Sequence, residues 1–286
     1  MVIEKRIIFA SMNSKNSILL VDPDFDPNTA GDCDLLIKVS TDNFSYAIID
    51  KSCNQLRAVY DQQECTDTVK DLADQLKNDH YLQLPFRKVK GSFFTENCVA
   101  VPDEIFDEQD IGQYTRYFNE YQNHNLYAQP FEDYGFTSVF NLSTRIEEVL
   151  RSLPESKRYD HGAPLLALSK GNSIQILQLD FTVGSFNVTY LNAEQLIFQK
   201  YFEIENAEEF NYYLLLMINQ LKIETGKTEV HLSGIIHQDD AKYLCVTKYF
   251  NTVHFNEAKG HELNTRILDD MPSHYYTSLL ALDLCV

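Results

Sequence analysis

The chain lacks tryptophan altogether; 18 Phe and 17 Tyr among its 286 residues supply the large aromatic packing instead. No apolar run approaches the about 18 to 20 residues that a membrane-spanning helix needs, which excludes a helical span. Near the start, Glu4, Lys5 and Arg6 precede a short mixed stretch, without the apolar core of an export signal. The six cysteines (Cys33, Cys53, Cys65, Cys98, Cys245, Cys285) lie far apart with no C-x-x-C pair. The expectation is therefore reduced thiols and a cytoplasmic protein. Basic residues are scarce, 24 Lys and Arg against 42 Asp and Glu, for a formal net charge of −18. Such a surface repels phosphate backbones and anionic lipid heads, so nucleic-acid and membrane-surface roles are disfavoured and neither partner is expected. G-x-x-x-x-G-K-[ST], G-x-G-x-x-G and G-x-S-x-G are all missing, which removes the P-loop, the dinucleotide fingerprint and the nucleophile elbow. No Pro/Gly/Ser-rich linker interrupts the chain, so its parts are expected to pack together rather than hang on a tether.

What is present is a duplicated pattern. Ser173 to Phe181 and Phe186 to Leu191 alternate apolar and polar residues, and Leu196 to Ile204 is rich in aromatic and branched ones. Short turns at Thr182-Val183-Gly184-Ser185 and Asn192-Ala193-Glu194-Gln195 separate them, so they read as an antiparallel meander, with Gly184 available for positive φ. Asn206 with Glu209 makes a capping box, and Phe210, Tyr213, Leu214, Met217, Ile218 and Leu221 form one helical stripe. Tyr212 and Leu214 to Leu216 make that helix apolar on more than one face, as in a buried helix or a contact surface. Glu229 to Ser233 is a short buried strand, Gln238 to Phe250 a second helix with Ala241, Leu244, Cys245 and Tyr249 inward, and Thr252 to Phe255 a last strand.

A weaker copy starts at Asp34. Leu35 to Ser40, Phe44 to Asp50 and Gln55 to Tyr60 are three strands, and the helix Thr66 to Lys77 answers the one at 206 to 223. The turn Thr41-Asp42-Asn43 falls opposite Thr182 to Ser185, one residue shorter. Additions follow: strands at Lys88 to Thr95 and Cys98 to Val101, an acidic helix from Pro102 to about Tyr121, strands at Asn125 to Phe131 and Phe136 to Phe140, and a helix capped by Ser143. Residues 155 to 160 are charged and expected to be exposed. His161 to Gly171 reads as a short helix, and Ser273 to Leu284 as a closing one. Val2 to Met12 reads as a strand or a docked arm. The expected division is 1–162 and 163–286.

Two motif fragments come to little. Asp22, Asp24 and Asp26 alternate as in a calcium loop, but Pro27 and Cys33 stand where that loop wants Gly and Glu, so a solvated turn is expected. His231 with His237, and His254 with His261, have no partner cysteines for zinc.

Three antiparallel strands followed by helix–strand crossovers, twice over, is the order of two ribonuclease-H-like halves with mixed sheets, and it resembles the actin-like ATPase superfamily. More closely, LQLDFTVGSFNVTYLNAEQLIFQKYFEI (177 to 204), NAEEFNYYLLLMINQL (206 to 221) and EVHLSGII (229 to 236) resemble an uncharacterised family of Bacteroidetes proteins with that fold. The resemblance implies an α/β chain of two tandem βββαβαβ domains whose hairpin turns hold phosphate and magnesium. The positions it marks for an ATP and magnesium cleft are Asp42, Asp180, Gly184 and Gly234. The match is imperfect. The first turn has no glycine, and the second has one, four residues after Asp180. A phosphate cradle needs several backbone N–H groups aimed one way. Val230 to Ile236 resembles the adenine-side strand, but Ile235 replaces its second glycine, and Asp239 and Asp240 follow.

The expectation is therefore a non-catalytic scaffold or interaction protein with a degenerate cleft and no resident cofactor. Its partner would be an unnamed protein or a second copy. The alternative is an ATP-binding protein, an ATPase or kinase acting between the halves.

Overall fold

The structure, a computed structural model, describes residues 16–119, 125–153, 156–169, 174–193, 195–256 and 263–286. The expectations for Val2 to Met12, Gly171 and His261 lie outside these residues.

The first sheet begins with strand β1 (Ser17–Val21), followed after a 3-10 turn by β2 (Cys33–Val39), β3 (Phe44–Asp50) and β4 (Gln55–Gln62). β2, β3 and β4 form the antiparallel meander, with Leu36 opposite Ala47 and Ala47 opposite Val59. Every residue of β3 is buried, as befits a central strand covered on both faces. Helix α1 (Thr68–Asn78), capped by Asp67, then returns the chain to β5 (Lys88–Phe93), parallel to β2. A small separate sheet follows, made of β6 (Cys98–Pro102), β7 (Leu126–Phe131) and β8 (Phe136–Asn141) in the order β6-β8-β7. Helix α2 (Thr144–Leu150), with Ser143 as its cap, leads to β9 (Lys157–Asp160), which closes the first sheet beside β5.

Within the stretch expected to be charged and exposed, Lys157–Asp160 is thus a strand, with Tyr159 and Asp160 each 1% exposed; residue 155 lies outside the described residues. Four residues are too few for an alternation to show, and pairing with β5 decided the outcome. The segment expected as one acidic helix is instead two 3-10 pieces, Asp103–Ile105 and Glu108–Tyr117. Asp107 caps Gln109 with its side chain, and Asp110 is non-helical. Short acidic side chains favour such local turns over helix interiors. Tyr114 is buried but Ile105 is 67% exposed.

Helix α3 (Ala163–Ser169) precedes the second meander, β10 (Gln175–Phe181), β11 (Ser185–Asn192) and β12 (Gln195–Glu203). Helix α4 (Ala207–Gln220), capped by Asn206, leads to β13 (Glu229–Gly234), parallel to β10. Helix α5 (Ala241–Tyr249) leads to β14 (Thr252–Phe255), parallel to β13. The second sheet has the order β12-β11-β10-β13-β14. Without β1, the first has the order β4-β3-β2-β5-β9. Both read third, second, first, fourth, fifth in chain order. This is what two right-handed crossovers onto a meander produce.

Phe210, Leu214 and Met217 of α4 enter the second core, while Tyr212 and Leu216 remain exposed. In α5, Val246 is buried and Leu244, expected inward, is 58% exposed. The tail ends in helix α6 (Thr277–Leu280) and a 3-10 turn at Ala281–Asp283. This pair packs with α3 on the back of the first sheet, where Tyr276, Leu279, Leu280 and Leu282 meet Leu36, Ala47, Ile49 and Val59.

Candidate functional site

The two meanders bring their first hairpins face to face. In the first, Val39 pairs with Phe44 and the Ser40 N–H donates to the Asn43 carbonyl at 2.9 Å. In the second, Phe181 pairs with Phe186 and the Thr182 N–H donates to the Ser185 carbonyl at 3.0 Å. Both turns therefore span four residues, Ser40 to Asn43 and Thr182 to Ser185. The one-residue difference expected from sequence disappears once Ser40 is counted in the turn. Asp42 then occupies the position equivalent to Gly184, and Lys38 the position equivalent to Asp180.

Each of these equivalent pairs is in contact. The Asp42 carboxylate accepts from the Gly184 N–H at 3.2 Å and from the Thr182 hydroxyl at 2.8 Å. Ser40, Ser185 and Tyr201 bring hydroxyls to within 3.0, 3.3 and 3.2 Å of the same carboxylate. Burial, then the nearby Asp42 charge, pushes the Tyr201 phenol up to about 12, so it is neutral and free to donate. Gly184 does not supply a positive φ: among the described glycines only Gly135 and Gly234 have one. It supplies room, since a Cβ there would stand 3.2 Å from the Asp42 oxygen.

At the strand ends below the turns, the Lys38 ammonium pairs with Asp180 and donates to the Ser278 hydroxyl at 2.7 Å. Asp180, 2% exposed, also accepts from Ser233 at 2.8 Å. Gly234 is the last residue of β13, beside Phe181, at φ +78°. A Cβ at Gly234 would lie 2.0 Å from the Phe181 carbonyl oxygen. Its glycine is thus explained by backbone packing. The tail seals this corner: the Gly234 N–H donates to the His274 carbonyl at 2.9 Å, and the His274 ring Nε2 lies 2.8 Å from the Ile236 carbonyl.

One space between the hairpins measures about 30 Å³, lined by Lys38, Asp61, Thr182, Gly234, Ile235 and Tyr276 among others. That is about the volume of one water, against the roughly 300 Å³ at which ligand pockets begin. Asp61 is held in this space by the Gln63 amide at 2.9 Å. Burial pushes its carboxyl up to about 6. Among the described residues no group of three or more His, Cys, Asp or Glu side chains is placed to hold a metal ion.

Asp42, Asp180, Gly184 and Gly234 are thus brought to one cleft: Asp42 touches Gly184, and Asp180 and Gly234 lie on neighbouring strands. Lys38 was missed. The signal for it was in the sequence: counting back from the paired turns puts a lysine where the other half has its acid. Asp22, from the calcium-like fragment, instead pairs with Arg57 at 2.7 Å.

A family model described as protein of unknown function (DUF3822) matches residues 22–253. The chain belongs to the DUF3822 family. No curated protein matches it significantly. Among solved structures, it is similar to a Bacteroides thetaiotaomicron protein with an actin-like ATPase fold and unknown function. The TM-score is 0.69 at 17% identity, covering 85% of this chain and 96% of that one. It is also similar to a chain of the PilM–PilN type IV pilus biogenesis complex, with a TM-score of 0.63 at 12% identity, covering 87% and 97%. This DUF3822 chain therefore has the actin-like ATPase fold, with mixed α/β sheets. The six cysteines are free thiols, and among the described residues no helix is long and apolar enough to cross a membrane.

Proposed function

We propose that this DUF3822 protein is a non-catalytic member of the actin-like fold, working as a scaffold or interaction protein whose nucleotide cleft has been converted into an internal joint. The observation that carries the reading is the pairing of equivalent positions across the cleft. An ATP site of this fold needs an acid and a phosphate-cradling turn in each half. Here Lys38 replaces one acid and neutralises the other. The Asp42 carboxylate takes the Gly184 N–H and Thr182 hydroxyl, the donors that a phosphate would need. A bound phosphate would have to displace one negative group and share the space with two more, Asp61 and Asp180.

The competing reading, an ATPase or kinase, draws on the convergence of Asp42, Asp180, Gly184 and Gly234. It requires the Lys38–Asp180 pair and the Asp42 contacts to open on binding. A fold does not itself specify function. The PilM–PilN type IV pilus biogenesis complex contains a chain of this fold in a protein assembly, which is in keeping with a role in protein contacts.

A thermal melt with and without 5 mM Mg-ATP separates the two readings. Ligand at ~100 times its dissociation constant adds ~2.7 kcal/mol, or several degrees for a chain of this size. The scaffold reading expects no shift. A shift of several degrees, lost when Lys38 and Asp180 are both retained but Gly184 is changed to Val, would overturn it.

A further inference from the structure

A second and much larger space lies outside the cleft. A groove of about 580 Å³ runs between the small β6-β8-β7 sheet and the outer strand of the second sheet. One wall is β12 from Leu196 to Tyr201, the other is β6 and β8, and Asp160 and His161 lie between them. Both β12 and β6 stand at the end of their sheets. Among the described residues, the groove is therefore flanked by two strands with an unpaired edge. Such edges recruit extended chain unless something covers them.

The side chains facing the groove carry a definite charge. Alternation along β12 sends Phe198 and Phe202 into the second core; Lys200 borders the groove along the strand edge, but its ammonium lies 6.0 Å over the Phe202 ring on the far face. Gln199 and Tyr201 face the other way. The Gln199 amide reaches Asp160 at 3.3 Å, and the Tyr201 ring lies 4.5 Å from Phe94. Asp160 is 1% exposed and accepts from Ser138 at 2.7 Å and from the Gly162 N–H at 2.7 Å. No cation is paired with it among the described residues. The His161 ring lies tilted against Phe94 at 5.4 Å, and its buried Nδ1 has no hydrogen-bond partner among the described residues. Burial lowers its pKa, so the ring adds no positive charge. Glu96 lies at the exposed rim. Behind the Phe94 and Tyr201 rings the groove thus ends on the buried Asp160 side chain, which takes hydrogen bonds from Ser138, Gly162 and Gln199 and has no cation paired with it among the described residues.

We propose that this groove docks an extended segment of a partner protein carrying an arginine or lysine side chain. The segment's backbone adds to the edge of β12, and its cationic head passes Phe94 and Tyr201 to reach Asp160. Strand addition supplies main-chain hydrogen bonds, and the alternate side chain supplies specificity. The aromatic faces and the carboxylate both favour a cation. A net charge of −18 draws a basic partner in. A free amine would use the carboxylate but leave the β12 edge unpaired, so an extended chain fits more of the site. The inference rests on the reading of the chain as an interaction protein. Its test does not involve the nucleotide cleft, so the two fail separately.

The experiment is an array of immobilised random nine-residue peptides probed with the full-length protein. The strongest binder is then measured in solution by fluorescence anisotropy. The expected binders carry Arg or Lys between β-forming residues, and changing that residue to Glu abolishes binding. Gln199→Lys places an ammonium beside Asp160 from within, and it weakens binding at least tenfold while the thermal melt stays as in the wild type. Asp160→Asn does the same if it folds. Because Asp160 also holds the Gly162 turn, the half-exposed Gln199 position decides the matter if it does not. Binders without basic residues, binding indifferent to Gln199→Lys, or agmatine competing as tightly as the peptide itself would each overturn the proposal.

Discussion

Replacing Lys38 by Met tests the joint between the hairpins most directly. The methionine keeps most of the side-chain length but removes the ammonium that holds Asp180 and donates to Ser278 at 2.7 Å. Asp180 would remain 2% exposed with one hydrogen bond, from Ser233 at 2.8 Å. Breaking a buried pair by removing one partner costs roughly 3–5 kcal/mol, because a charge is left uncompensated. The retained Ser233 bond and the 15% exposure of Lys38 put this case at the lower end, about 3 kcal/mol. For a chain of this size that is a fall in Tm of about 6–12 °C. Urea unfolding at pH 7 measures it, with the m-value unchanged if only stability has moved. The double variant Lys38→Met with Asp180→Asn removes the stranded charge and is expected to recover about 2 kcal/mol of the loss. A single variant within about 1 kcal/mol of wild type, or a double variant no more stable than the single, would refute the argument that this pair is buried and mutually dependent.

Asp42→Ala removes the carboxylate from the Gly184 N–H and the Thr182 hydroxyl. We expect faster hydrogen exchange at Val183 to Ser185 and a loss of about 2 kcal/mol, since a hydrogen bond to a charged group contributes roughly 1.5–3 kcal/mol net of the exchange with water. Gly234→Ala forces a Cβ to 2.0 Å from the Phe181 carbonyl at φ +78°. A loss of about 3 kcal/mol or more is expected, so changes at Gly234 report on folding and not on nucleotide. Asp61, at about 6 when folded because burial disfavours its charge, sits near 3.9 in an unfolded chain. The folded state therefore holds the extra proton between these values, and stability falls as pH rises from about 4 to 6, by up to about 3 kcal/mol. Asp61→Asn flattens that part of the pH–stability curve; an unchanged slope would show that another group carries it.

How much could be read beforehand follows the range of the forces involved. Hydrophobic period is local, so the two meanders, the capped helix α4 and the β13 strand were legible from residues 34 to 60 and 173 to 234. Asn206 and Ser143 were legible as caps because a cap bonds to amides two or three residues away. Strand β9 was not, since four residues carry no period and its partner β5 lies some 70 positions back in the chain, as the Gly91–Arg158 pairing shows. The acidic helix expected from Pro102 gave way, over 103 to 117, for the opposite reason: its apolar spacing fitted a helix, while Asp107 and Asp110 favoured short turns.

The sequence by itself determined the fold family and the positions that meet at the cleft, because duplication and alternation repeat along the chain and need no partner to be seen. Only the tertiary structure decided what those positions do to one another. Lys38 and Asp180 are 142 residues apart, as are Asp42 and Gly184. Whether a carboxylate meets a magnesium ion, a phosphate or a lysine depends on which groups two separate sheets bring within about 3 Å, a distance over which charge and hydrogen bonding act and sequence spacing carries no information.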